Sequence, residues 1–155
     1  MTPPDLFDLQ RFVTAQSETF DRALAELEAG RKTTHWIWFV FPQLRDLGRS
    51  SMALFYGIGS LAEARAYLTH PVLAPRLMRV TQAVIDAPAP TLHALFGSPD
   101  DMKFRSSMTL FAMAADDEPI FQLALDRWCA GETDPRTLAI IASEREGQTP
   151  APPAP

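Results

Sequence analysis

Two short segments hold the side chains best able to do chemistry. The first, Arg31-Lys32-Thr33-Thr34-His35, places two cations, two hydroxyls and an imidazole directly before the apolar run Trp36-Ile37-Trp38-Phe39-Val40-Phe41. Free backbone amides at a helix start, with cations beside them, attract an anion. His35 is there a candidate donor to a phosphate or carboxylate, or an acid/base group. The competing reading is structural: Thr33 or Thr34 caps the helix, the cations are solvated and His35 bonds to a carbonyl. The second segment is Lys103-Phe104-Arg105-Ser106-Ser107-Met108-Thr109-Leu110-Phe111. At 3.6 residues per turn Phe104, Met108 and Phe111 share an inward face, Lys103, Ser106 and Ser107 lie together on another, and Thr109 stands one turn beyond Ser106. Either these hydroxyls line a polar cleft in which Lys103 holds a negative group or activates Ser107, or they bond back to the preceding turn and permit close helix packing.

The elements that must position these residues are helices. Six apolar residues in a row, followed by Pro42-Gln43, show neither the alternation of a half-exposed strand nor the stripe of a surface helix, so this segment is enclosed on all sides. Before it, apolar spacing predicts one helix through Leu6, Leu9, Phe12 and Val13, and another through Phe20, Ala23, Leu24 and Leu27, with Ser17 as N-cap and Gly30 as stop. After it come a short segment Met52 to Tyr56, broken by Gly57, and a helix opened by the capping box Ser60-Leu61-Ala62-Glu63. Pro71, Pro99 and Pro135 read as first helical positions. They open helices over about 71–85, 99–114 and 135–145, with 91–96 and 118–129 between them. The reading is all-α: one domain over residues 5–146 with roughly eight to ten helices, then a disordered Pro-rich tail, 147–155.

Composition narrows the function. The chain has 155 residues, 46% hydrophobic and 21% charged, enough for one domain with a real core. A net charge of −5 argues against extended nucleic-acid binding, which needs clustered Lys and Arg. Cys129 is the single cysteine, so nothing requires an oxidising compartment. With no apolar segment of membrane-spanning length and no secretory start, a soluble cytoplasmic protein is expected. The three histidines occur singly, so no metal site is expected, and no residue calls for a cofactor. Gly57-Ile58-Gly59-Ser60-Leu61-Ala62 matches the glycine spacing of a dinucleotide-binding turn but lacks the strands around it, and reads as a helix-to-helix turn.

The two dense segments also carry a resemblance. Thr34-His35-Trp36-x-Trp38-Phe39-x-Phe41-Pro42-Gln43 and Lys103-x-x-Ser106-Ser107-Met108-Thr109-Leu110-Phe111 resemble the signatures of the bacterial domain-of-unknown-function family 1810. Arg11-Phe12-Val13-x-Ala15-Gln16 and Ala66-Tyr67-Leu68-x-His70-Pro71 add to the match. That resemblance implies an all-helical fold over about residues 7–142 with no established activity. The word calpastatin, sometimes attached to such proteins, gains nothing here, because those inhibitors are long disordered chains. A fainter likeness, through Ala64-Arg65-Ala66-Tyr67-Leu68-x-His70-Pro71, is to small helical N-glycosidases acting on nucleotide-derived or ADP-ribose-linked substrates, whose acidic and Trp-Gly signatures this sequence lacks.

Together these readings lead to one expectation. Lys32, Thr34, His35, Trp36, Trp38 and Gln43 should meet Lys103, Ser106, Ser107 and Thr109 around a cleft for a small anionic or nucleotide-like ligand. In it the lysines neutralise charge, an indole stacks on a ring, and His35 is the candidate catalytic group. The alternatives are a non-enzymatic protein-interaction module, in which these residues only fix packing, and an N-glycosidase-like hydrolase.

Overall fold

The chain's own carboxylates and hydroxyls set where its helices begin. In the computed structural model, which describes residues 5–148, the Asp5 carboxylate accepts from the amides of Leu9 (2.7 Å) and Gln10 (2.9 Å). Asp8 sits at φ 52, a backbone conformation no helix continues through. The first helix, α1 (Gln10–Ser17), therefore starts later than the spacing from Leu6 predicts. It is followed by α2 (Phe20–Glu28), the single turn α3 (Ile37–Val40), a 3-10 turn (Arg45–Leu47), α4 (Ser51–Tyr56) and α5 (Leu61–Thr69). Then come α6 (Leu73–Asp86), α7 (Leu92–Phe96), α8 (Asp100–Ala114), α9 (Ile120–Trp128) and α10 (Pro135–Gln148). There is no strand among the described residues, only an isolated parallel bridge between Leu44 and Ile58. None of the described helices is long and apolar enough to cross a membrane.

Several expected boundaries shift for identifiable reasons. Ser17 caps no helix: its hydroxyl turns back to donate to the Thr14 carbonyl. Only Pro135 occupies a first helical position; Pro99 is the residue before α8, and Pro71 lies two before α6. The start of α6 is capped by His70, whose Nδ1 accepts from the amides of Val72 (3.1 Å) and Leu73 (3.2 Å). Ser60 does accept from the Glu63 amide, but Glu63 reaches back to the Gly59 amide rather than to Ser60, so half of the capping box forms. Gly147 and Gln148, placed by the sequence in a disordered tail, continue α10; the rest of that tail lies outside the described residues.

The core is built around α8, which packs against α3, α5, α7, α9 and α10. A helix contacted from so many directions cannot keep a polar face, and Ser106, Ser107 and Thr109 are buried along with Phe104, Met108 and Phe111. The apolar run behaves as expected: Trp36, Ile37, Phe39, Val40 and Phe41 are buried, and Trp38 alone stays half-buried. Phe41, Phe96 and Phe104 form an aromatic cluster with centroids 5.0 to 6.0 Å apart, joining α3 to α7 and α8.

Two buried polar groups tie α1 to this core. Arg11 donates to the carbonyls of Phe7, Asp8, Phe55 and Gly57 and pairs with Glu63 at 2.8 Å, linking α1 to the ends of α4 and α5. Gln16, 2% exposed, donates to the Phe39 carbonyl (2.6 Å) and the Tyr67 hydroxyl (3.0 Å) and accepts from Arg76. Burial pushes the Tyr67 phenol above its ordinary range, so it stays a neutral partner.

Candidate functional site

Lys32 and Lys103 come from segments seventy residues apart in sequence and meet on one carboxylate. The Lys32 amide donates to the Leu95 carbonyl at 2.7 Å, which holds the passage after Gly30 against α7. Its ammonium then lies 2.8 Å from Asp100 Oδ2 and 5.1 Å from the centre of the Trp36 ring. One turn along α8, the Lys103 ammonium is 3.7 Å from Asp100 Oδ1 and 5.3 Å from the Trp38 ring. Two cations on one carboxylate leave a positive charge in excess, and the longer contact leaves Lys103 the less committed of the two.

Lys103 and Gln43 both line a small recess whose walls also include Trp38, Phe41, Tyr56 and Gly57. Its volume of about 10 Å³ admits a single water-sized centre. Among the described residues the buried Trp38 indole N–H has no hydrogen-bond partner, nor has the buried hydroxyl of Ser107, one turn after Lys103. The Gln43 backbone carbonyl accepts from Ile58 at 2.9 Å, fixing this segment beside the Gly57 turn. Gly57 is needed there for space: a Cβ would fall 2.4 Å from Arg45 Cα and 2.7 Å from the Ala53 carbonyl oxygen. The glycine-spaced turn holds no free amide cradle, since Glu63 takes the Gly59 amide and Glu144 takes that of Leu61.

The other expected site residues have different duties. The amides of Thr33 and Thr34 do attract an anion, and that anion is the protein's own Glu26. Its carboxylate accepts from Thr33 N (2.7 Å), Thr34 N (2.9 Å), Thr34 Oγ1 (2.5 Å) and Trp36 Nε1 (3.1 Å). Burial works to raise the Glu26 carboxyl, but the Thr34 hydroxyl, the two amides and the indole hold it down to about 2. Thr34 and Trp36 are thus occupied internally, and Trp36, fully buried, has no ring face for a ligand. His35 is exposed, makes no hydrogen bond among the described residues and is not part of the recess wall. Ser106 donates to the Met102 carbonyl and lies 3.1 Å from Asp134 Oδ2, while Thr109 donates to Arg105 and accepts from the Asp134 amide. Asp134 also takes the Thr137 amide, so these two hydroxyls dock the start of α10 onto α8. Of the ten residues expected in one cleft, Trp38, Gln43 and Lys103 line the recess, and Lys32 reaches it through Asp100.

Glu26 sets an acid limit on this arrangement. Its carboxyl sits below the ordinary 4.5, so its contribution is fully present above pH 4.5 and is lost as pH falls toward 2. Glu26→Gln is expected to cost about 1.5 kcal/mol at pH 7 for a partly exposed, charge-assisted acceptor. Urea denaturation at pH 7 and at pH 3 checks this: the gap between variant and parent should shrink at pH 3, and a gap independent of pH refutes the assignment.

The described residues define the fold class, an all-helical domain without strands. The chain belongs to the family described as protein of unknown function (DUF1810), which it matches over residues 6–141. It is similar to the crystal structure of the conserved hypothetical protein Rv1873 from Mycobacterium tuberculosis, with 50% identity and a TM-score of 0.87 over 89% of this chain and 99% of that one. No curated protein matches the chain.

Proposed function

We propose that the protein binds a small anionic ligand, one oxygen of whose carboxylate or phosphate enters the recess beside Lys103. The observation that carries this reading is the meeting of the two signature segments there: Trp38, Phe41 and Gln43 from one, Lys103 from the other. The polar side chains on the wall favour an acceptor oxygen, because Lys103 donates and the Gln43 amide can. The charge in excess on Lys32, Asp100 and Lys103 favours a negative one.

Thermal shift against inorganic phosphate, small mono- and dicarboxylates and nucleoside monophosphates tests the proposal. At least one of these is expected to stabilise the parent and His35→Ala equally, and to lose about tenfold or more in affinity in Lys103→Ala, as for one buried charge-assisted contact. No stabilisation by any of them, or one undiminished in a folded Lys103→Ala, overturns it. The protein-interaction reading rests on a separate feature. Leu6 is 81% and Phe55 57% exposed, large apolar side chains of the kind a partner protein covers.

A further inference from the structure

A second hollow differs from the recess in its chemistry. A groove of about 630 Å³ runs between α5, α6 and the connection from α8 to α9. Its apolar lining is the half-buried Leu68 and Met78, backed by the buried Ala114 and Phe121, and its size falls in the range of small-molecule sites, roughly 300–1,000 Å³. One wall is acidic. Of the three carboxylates there, Glu118 is engaged in accepting from the Ile120 amide at 3.0 Å. Asp116 and Asp117 are exposed and make no hydrogen bond or ion pair among the described residues. From α5, Arg65 contributes a guanidinium to the same groove without pairing to either aspartate.

From this charge pattern we infer that the groove binds a small organic monocation, with its apolar body on Leu68 and Met78 and its ammonium group against Asp116 and Asp117. Two unengaged carboxylates beside an apolar lining complement one positive head group on a hydrocarbon or aromatic body. Arg65 opposes a second positive charge, so a diamine of similar length binds more weakly than a monoamine. The site is independent of the recess, which selects the opposite charge.

The test is a titration of the full chain, followed by amide and methionine-methyl NMR, with 3-phenylpropylammonium, 3-phenylpropanol and 1,8-diaminooctane. The monoammonium ion is expected to give saturable shifts at Met78, Ala114 and Ala115, with the alcohol binding about tenfold more weakly. In Asp116→Asn/Asp117→Asn, two exposed substitutions away from the helix cap, the preference for the ammonium over the alcohol should disappear. In Lys103→Ala it should persist. Equal binding of the ammonium ion and the alcohol to the parent, a preference unchanged in the double variant, or no saturable shift at these residues overturns the inference.

Discussion

Arg11→Ala is expected to destabilise the fold by about 3–5 kcal/mol, the cost of removing one partner from a buried ion pair. The Arg11 and Glu63 side chains are only 6% and 5% exposed, so Glu63 would be left charged without its cation. The carbonyls of Phe7, Phe55 and Gly57 lose a donor in the same step, loosening the joint between α1, α4 and α5. Because a protein of this size shifts by about 2–4 °C per kcal/mol, the melting temperature should fall by roughly 10 °C. Urea denaturation of Arg11→Ala, Glu63→Ala and the double variant measures the coupling. The double variant should be clearly more stable than the sum of the two losses predicts, and simple additivity would show that the pair does not act as a unit.

Trp36→Ala should be about as damaging, costing about 3–5 kcal/mol for a fully buried large aromatic. The ring is 0% exposed, lies 6.2 Å from both Phe41 and Phe96, and receives Lys32 on its face. Its indole N–H is one of the four donors that hold Glu26. Trp36→Phe divides these contributions: it keeps one aromatic ring but drops the donor and part of the buried volume, so a loss of about 2 kcal/mol, smaller than that of alanine, is expected. Chemical denaturation of both variants decides the matter. If alanine and phenylalanine cost the same, the hydrogen bond outweighs the packing and the account of this segment as core is wrong. Since Trp36 precedes Ile37 and Trp38 directly, the alanine variant should also lose any binding at the recess.

Helix placement was legible because its determinants are local. Apolar spacing located α2, α6 and α9, Gly30 (φ 81) stops α2 in a backbone region that favours glycine, and Ser60 takes the Glu63 amide as its position suggests. The pairing of charges was not legible, because it depends on residues distant in the chain. Asp100 reads from sequence as an acid at a helix start, and only the packing of the Lys32 segment beside α8 makes it the shared partner of two lysines. Glu26 carries no sequence signal beyond being an acid near the end of a helix, yet it fills the anion site that Thr33 and Thr34 create. Arg11 and Gln16 belong to a segment that resembles the family, but their buried duties follow from what α1 lies against.

By itself, then, the amino-acid order determined the helical class, most helix positions, the enclosed aromatic run and the candidacy of Trp38, Gln43 and Lys103. Tertiary structure decided which polar groups are consumed internally and which stay available: Thr34, Ser106 and Thr109 are used by the fold, His35 stands outside, and Lys103 faces the recess. The physical reason is range. Backbone conformation and apolar periodicity act over one or two turns of chain, whereas the state of a buried polar group is fixed by whatever element packs against it from elsewhere in the sequence.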